Sequence, residues 1–236
     1  MINTFNPNKT YAIIIGISDY NSKLISNLQN ASSDANLLYD YLTNSGGYNS
    51  DNLYLFKNED VTVSNIQNAY SEITDKMDDD SLLLFFFSGH GASKNDRFYL
   101  PLYGYEADDE NTFFMDDEIV KLFHHVNAKR VLFLFDCCNS GDLARKDEDE
   151  NDSGITLELM ERLTENSSTA SRVLVASSLP KQSSWEVNQL KMGIFTSCLL
   201  NAFKGGCKHA ANANIYLFDL IDYLINEIPY VHSEIQ

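Results

Sequence analysis

A histidine and a cysteine, each next to glycine at the end of an apolar run, are the residues here best suited to chemistry. The first run, Leu82–Phe87, passes into Ser88-Gly89-His90-Gly91. The second, Val131–Phe135, passes into Asp136-Cys137-Cys138-Asn139-Ser140-Gly141. An imidazole beside a thiol is the minimum for thiol-based nucleophilic catalysis. The ring takes the thiol proton and later delivers it to the leaving amine. Gly91 lets the backbone approach a substrate carbonyl, because it carries no Cβ. Its N–H and that of Cys138 would form an oxyanion hole, a device worth about 3–4 kcal/mol in the transition state. Either segment alone also reads as a buried strand with incidental turn residues. Together, at two strand exits, they read as a dyad.

The elements that must position this pair are visible in the pattern. Tyr11–Ile17 (YAIIIGI), SLLLFFF and VLFLFD are unbroken apolar runs, the mark of central strands buried on both faces. Leu53–Phe56 and Val173–Ser178 read as two further strands. Between them lie helical spacings. Ser32 or Ser33 caps DANLLYDYL, Thr62 opens a helix through Ile66, Ala69, Ile73 and Met77, and Asp116–Val126 carries acids at its positive end. Two more helices are predicted near Ile194–Phe203 and Ile215–Ile228. Strands alternating with helices predict a three-layer α/β/α sandwich around a mainly parallel sheet. Ligands bind such sheets beyond the carboxyl ends of the strands, where His90 and Cys138 would emerge. Strand alternation puts Asp136 and Cys138 on one side and Cys137 on the other. Cys137 therefore reads as core.

The chain has 236 residues and is 44% hydrophobic, enough for a sizeable core. Its net charge of −17 excludes a broad nucleic-acid or anionic-membrane surface, which would need clustered Lys and Arg. Apolar runs of about six residues fall far short of a membrane span. Four cysteines, two of them adjacent, make no disulfide scaffold, and no leader pattern opens the chain. A reducing, cytoplasmic setting is the expectation. Cys198 reads as a core residue, and Cys207 with His209 lacks a second ligand pair at zinc spacing. His124 and His125 lie on a helix and read as structural.

The sequence resembles the caspase-like cysteine peptidases of clan CD, peptidase family C14, and among them the metacaspases and their bacterial relatives. YAIIIGISDY resembles the family's first strand, LLLFFFSGHG its histidine motif and LFDCCNSG its cysteine motif. VLVASSLPKQSSWE and MGIFTSCLLNAFKG resemble the small-subunit half. The spacing from His90 to Cys138 is near the roughly 50 residues of caspases. Asn139 stands where the family usually has a histidine, and the QACxG form of true caspases is absent. The resemblance implies a caspase-hemoglobinase fold in a single domain over residues 1–236. Residues 1–141 would be the large-subunit half, 142–170 an acidic linker and 171–236 the small-subunit half. It also makes Cys138 the nucleophile.

The resemblance further implies a pocket. A carboxylate at Asp136, so close to a nucleophilic sulfur, disfavours the thiolate unless it answers a substrate cation. In metacaspase-like enzymes this acid lines the S1 pocket, together with an acid that Asp34 matches and a residue that Ser88 matches. The family expectation is cleavage after Arg or Lys, with Arg favoured by bidentate pairing. Taken alone, Asp34 reads as a first-turn helix acid. Trp185 lies where the family's substrate-groove loop runs, and it reads equally as a core residue. Arg145 and Lys146, embedded in the acidic linker, are candidate processing sites, ahead of Arg162 and Arg172. Asp116 and Asp117 resemble the paired acids of a family calcium site, but the six to eight oxygens that calcium needs do not assemble. No cofactor is therefore expected.

The implied partners are a protein or peptide substrate with a basic P1 residue and a regulatory or effector protein. A role in regulated cell death or defence is part of the same expectation. The alternative from another class is a catalytically silent caspase-like scaffold or adaptor.

Overall fold

The three long apolar runs become neighbouring strands of one sheet in the computed structural model. The structure describes residues 6–94, 97–139, 155–164, 171–177, 186–187, 192–207 and 215–235. Two compact units divide the chain, Met1–Ser184 and Trp185–Gln236. In the first, the strands are β1 (Thr10–Gly16), β2 (Leu53–Lys57), β3 (Leu82–Lys94), β4 (Arg97–Pro101), β5 (Phe113–Met115), β6 (Arg130–Asn139) and β7 (Ser171–Ala176). Its helices are α1 (Ala31–Asn44), α2 (Val63–Thr74), α3 (Asp116–His124) and α4 (Leu157–Thr164). The second unit holds the short antiparallel pair β8 (Glu186–Val187) and β9 (Met192–Gly193), then α5 (Ile194–Asn201) and α6 (Leu217–Ile235).

The chain has the α/β architecture predicted from the alternating pattern. Strands β2, β1, β3, β6 and β7 pair in parallel in that order. Beyond its parallel stretch β3 continues as an antiparallel partner of β4, which pairs in turn with β5. The sheet is therefore mixed. β4 and β5 have no counterpart in the sequence pattern, because both are short and lack a long apolar run. β3 runs past its expected exit at His90, because pairing of Ala92 with Tyr99 carries the strand on to Lys94.

The two faces of the sheet have different covers. Ile13, Ile15, Phe85, Phe87, Phe133 and Phe135 share one buried cluster with Ile66, Ala69 and Ile73 of α2, Ile119 and Leu122 of α3, and Leu159 and Leu163 of α4. Removing one of these fully buried phenyl rings would cost about 3–5 kcal/mol. On the other face α1 packs against β1, β2 and β3. Its approach is closest at Gly16, where an added Cβ would lie 2.3 Å from the Ala31 carbonyl oxygen.

Local signals account for the helix ends. Thr62 caps α2 as predicted, its hydroxyl accepting from Asn65 N–H at 3.1 Å. The α1 cap is Asn30, so Ser32 and Ser33 lie inside the first turn. Three acids, Asp116, Asp117 and Glu118, fill the first turn of α3, complementing its dipole. No helix among the described residues is long and apolar enough to cross a membrane.

Candidate active site

The register of two strands brings the chemistry together. β3 and β6 pair in parallel with Ser88 opposite Asp136, Gly89 opposite Cys137, and His90 opposite Cys138. Adjacent strands lie about 4.8 Å apart, so the backbones of His90 and Cys138 are immediate neighbours. Cys137 belongs to the buried cluster of aromatic residues. Alternation then assigns Asp136 to the opposite face, the one that α1 covers.

His90 is held on several sides. It is 4% exposed, and its Nε2 lies 2.9 Å from the Ser26 carbonyl oxygen. A carbonyl can only accept, so the ring proton sits on Nε2, and Nδ1 is the nitrogen able to take a proton. The His90 main-chain N–H donates to the Tyr20 hydroxyl at 2.6 Å. The 17–30 loop that carries Ser26 and Tyr20 is itself anchored. Asn58, at a φ of 45°, accepts from the amides of Ser18 and Asp19 through its Oδ1. Leu28 N–H donates to Ser18 O at 2.8 Å, and the Ser22 hydroxyl donates to Tyr105 O at 2.6 Å.

Two residues earlier along the strands lies a row of polar groups. Gly16 pairs with Ser88 and Ser88 with Asp136. Asp34, in the first turn of α1, reaches this row: the Ser88 hydroxyl lies 3.4 Å from its Oδ2. Asp34, Ser88 and Asp136 are 2%, 3% and 7% exposed. Buried carboxylates at neighbouring positions are costly unless a cation or donors answer them. Sequence reasoning did not single out Ser177. Its amide donates to Phe135 O just past β7, and its buried hydroxyl has no hydrogen-bond partner among the described residues. The only signal for it was its position one residue past the apolar run of β7. The contributions of Ser26, a backbone atom, and of Tyr20, 70 residues from His90, left no trace in local pattern.

Gly91 has a different local reason from the one expected. An added Cβ there would lie 3.0 Å from the Phe98 ring and 3.3 Å from Cys137 Cβ. A side chain there would have to push the Phe98 ring aside by a few tenths of an ångström. The Gly91 backbone lies within the β3–β6 pairing, opposite Asn139.

The other named residues fall elsewhere. Trp185, Arg145, Lys146 and His209 lie outside the described residues. Arg162 is on α4 and binds Asp116 and Asp117 through its two guanidinium ends. Arg172 donates to the Phe123 and His124 carbonyls. Asp116 and Asp117 therefore face guanidinium groups, because Arg97 pairs with both as well. Arg97 and then Arg162 hold the Asp117 carboxyl below its ordinary range. This donor set does not fit a calcium site: its oxygens are already matched by two cations. Cys198 and Cys207 are buried, and burial pushes the Cys207 thiol up.

Comparisons with known proteins agree with this architecture. The caspase domain family, Peptidase C14, matches residues 9–224. A crystal structure of a protein from Geobacter sulfurreducens is similar, with a TM-score of 0.63 at 16% identity. The match covers 92% of this chain and 88% of that one. The structure of pro-sf-caspase-1 is similar with a TM-score of 0.57 at 15% identity, covering 99% of this chain and 88% of that one. No curated protein matches the chain.

Proposed function

The chain belongs to the caspase domain family, and from that premise we propose that it is a cysteine endopeptidase cutting protein chains after arginine or lysine. The single observation that carries this reading is the register, His90 beside Cys138 with Ser88 beside Asp136 one pleat step away.

In this mechanism His90 Nδ1 takes the Cys138 thiol proton, and the sulfur attacks the peptide carbonyl. The C–N bond then breaks as the imidazolium returns that proton to the leaving amine. Water hydrolyses the thioester, with His90 again taking a proton, and releases the acid and the free thiol. The Nε2–H···O bond to Ser26 strengthens when the ring becomes cationic, which favours the state the attack creates. The amides of Gly91 and Cys138 are the candidate oxyanion donors. Donation by Gly91 calls for its terminal pairing with β6 to open.

The buried carboxylates support the choice of substrate. Asp34 and Asp136, with the Ser88 hydroxyl between them in the row, offer acceptors to a guanidinium or ammonium group and repel an acidic side chain. The thiol chemistry itself uses no cofactor. Arg145 and Lys146 are of the residue type this pocket would accept, and they are candidates for self-processing.

The test compares wild type with Cys138→Ala on reporter peptides ending in Arg, Lys or Asp. Cleavage of the basic reporters by wild type alone supports the assignment. Turnover of the Asp reporter would overturn the pocket. A folded wild type that neither cuts these peptides nor is labelled at Cys138 by an Arg-chloromethylketone would be a silent scaffold.

A further inference from the structure

β1 pairs with β3 only as far as Gly16 and Ser88, and Ile17 N–H donates to Ser88 O at 3.0 Å. The chain then turns away under the Asn58 cap. In a continued parallel ladder the His90 N–H would next meet a main-chain carbonyl. The Tyr20 hydroxyl stands in that place, 2.6 Å away. Tyr20 is fully buried, and its ring centroid lies 5.0 Å from that of the imidazole. Its own backbone is fixed at both ends of the residue. Tyr20 N–H donates to Asn27 Oδ1 at 3.0 Å, and its carbonyl accepts from Gly104 N–H at 2.7 Å. Gly89 leaves the room, because a Cβ there would lie 2.7 Å from the Tyr20 oxygen.

From this geometry we infer that Tyr20 is a positioning residue for His90, replacing the lost ladder acceptor and setting the imidazole against the nucleophile. A phenylalanine would fill the same space, so the hydroxyl has its use in satisfying a buried N–H. The same side chain lays its ring beside the imidazole. One residue thus restrains both the main chain and the ring of His90. The inference rests on the peptidase reading, since it concerns the alignment of the proposed dyad.

The test is Tyr20→Phe, read by the pH dependence of iodoacetamide alkylation at Cys138, mapped by peptide mass, and by steady-state kinetics on an Arg reporter. In wild type the imidazolium should sustain a thiolate, and thus alkylation, well below the ordinary thiol range near ~8.5. In folded Tyr20→Phe, alkylation near pH ~6 and kcat should both fall about 10- to 100-fold with KM unchanged. A folded variant with the wild-type alkylation profile and kcat would overturn the inference. An ordinary thiol profile in wild type would instead overturn the dyad, and the role of Tyr20 with it. Should Tyr20→Phe not fold, Gly89→Ala moves the hydroxyl from the other side. The same losses are expected, and unchanged values in that folded variant count equally against the inference.

Discussion

Ser26 presents its backbone carbonyl oxygen to His90 Nε2 at 2.9 Å, across 64 residues of sequence. The contact dictates a tautomer. In ¹⁵N-histidine-labelled Cys138→Ala protein, neutral His90 should show a protonated Nε2 and a bare Nδ1. The reverse assignment would remove Nδ1 as the base. Side-chain replacement at residue 26 does not delete this acceptor, because it belongs to the main chain.

The carboxylates of the proposed pocket should separate binding from folding. Asp136→Asn keeps the shape and removes the charge that a cationic P1 residue would meet. Turnover of an Arg reporter should fall about 100-fold or more, since a buried charge partner is worth about 2–5 kcal/mol. Asp34→Asn should act in the same direction, and the fold should persist in both. Equal kcat/KM for wild type and Asp136→Asn would move the specificity elsewhere.

The arginine–aspartate cluster should give an acid-sensitive contribution to stability. The Asp117 carboxyl is depressed by Arg97 and Arg162. Its contribution is therefore complete above the unfolded-state value near ~3.9 and is lost as pH falls through the lower folded value. Urea melts of wild type and Asp117→Asn should differ at pH 6 and converge in strong acid. The difference should be modest, because the Asp117 side chain is 64% exposed. Asp116→Asn should cost more, about 2–3 kcal/mol, because a fully buried carboxylate then no longer separates two guanidinium groups.

Self-processing should be visible as mass. Active protein cut after Arg145 or Lys146 would yield two fragments, and Cys138→Ala would stay whole. Identical intact masses would leave the linker uncut. Cleavage at Arg162 or Arg172 is not expected while their guanidinium groups are bound to Asp116, Asp117 and the end of α3.

Legibility in the sequence followed burial. YAIIIG, LLLFFF and VLFLF announced themselves because a strand covered on both faces reads as a continuous apolar run, and most of their side chains are buried. The same runs brought His90 and Cys138 into register, so the proposed dyad was readable from where the apolar stretches stop. The pair β4 and β5 was not, since strands of five and three residues are specified by their neighbours rather than by periodicity. Tyr20 was hidden for a related reason. In sequence it is one more aromatic residue, and its hydroxyl acquires meaning only when β1 ends at Gly16 and the His90 amide donates to it. Arg97 was likewise an anonymous charge, and Arg162 read only as a weaker processing candidate, until the fold placed them on Asp116 and Asp117.

Gly16 bears no functional group, yet the helix carrying Asp34 rests on it. A methyl group at residue 16 would lift the amino end of α1 from the sheet and draw one acidic wall away from the other. In the proposed peptidase, substrate preference would then be open to retuning from a site that never meets the substrate, and surveys of altered selectivity should watch residue 16 alongside the carboxylates themselves.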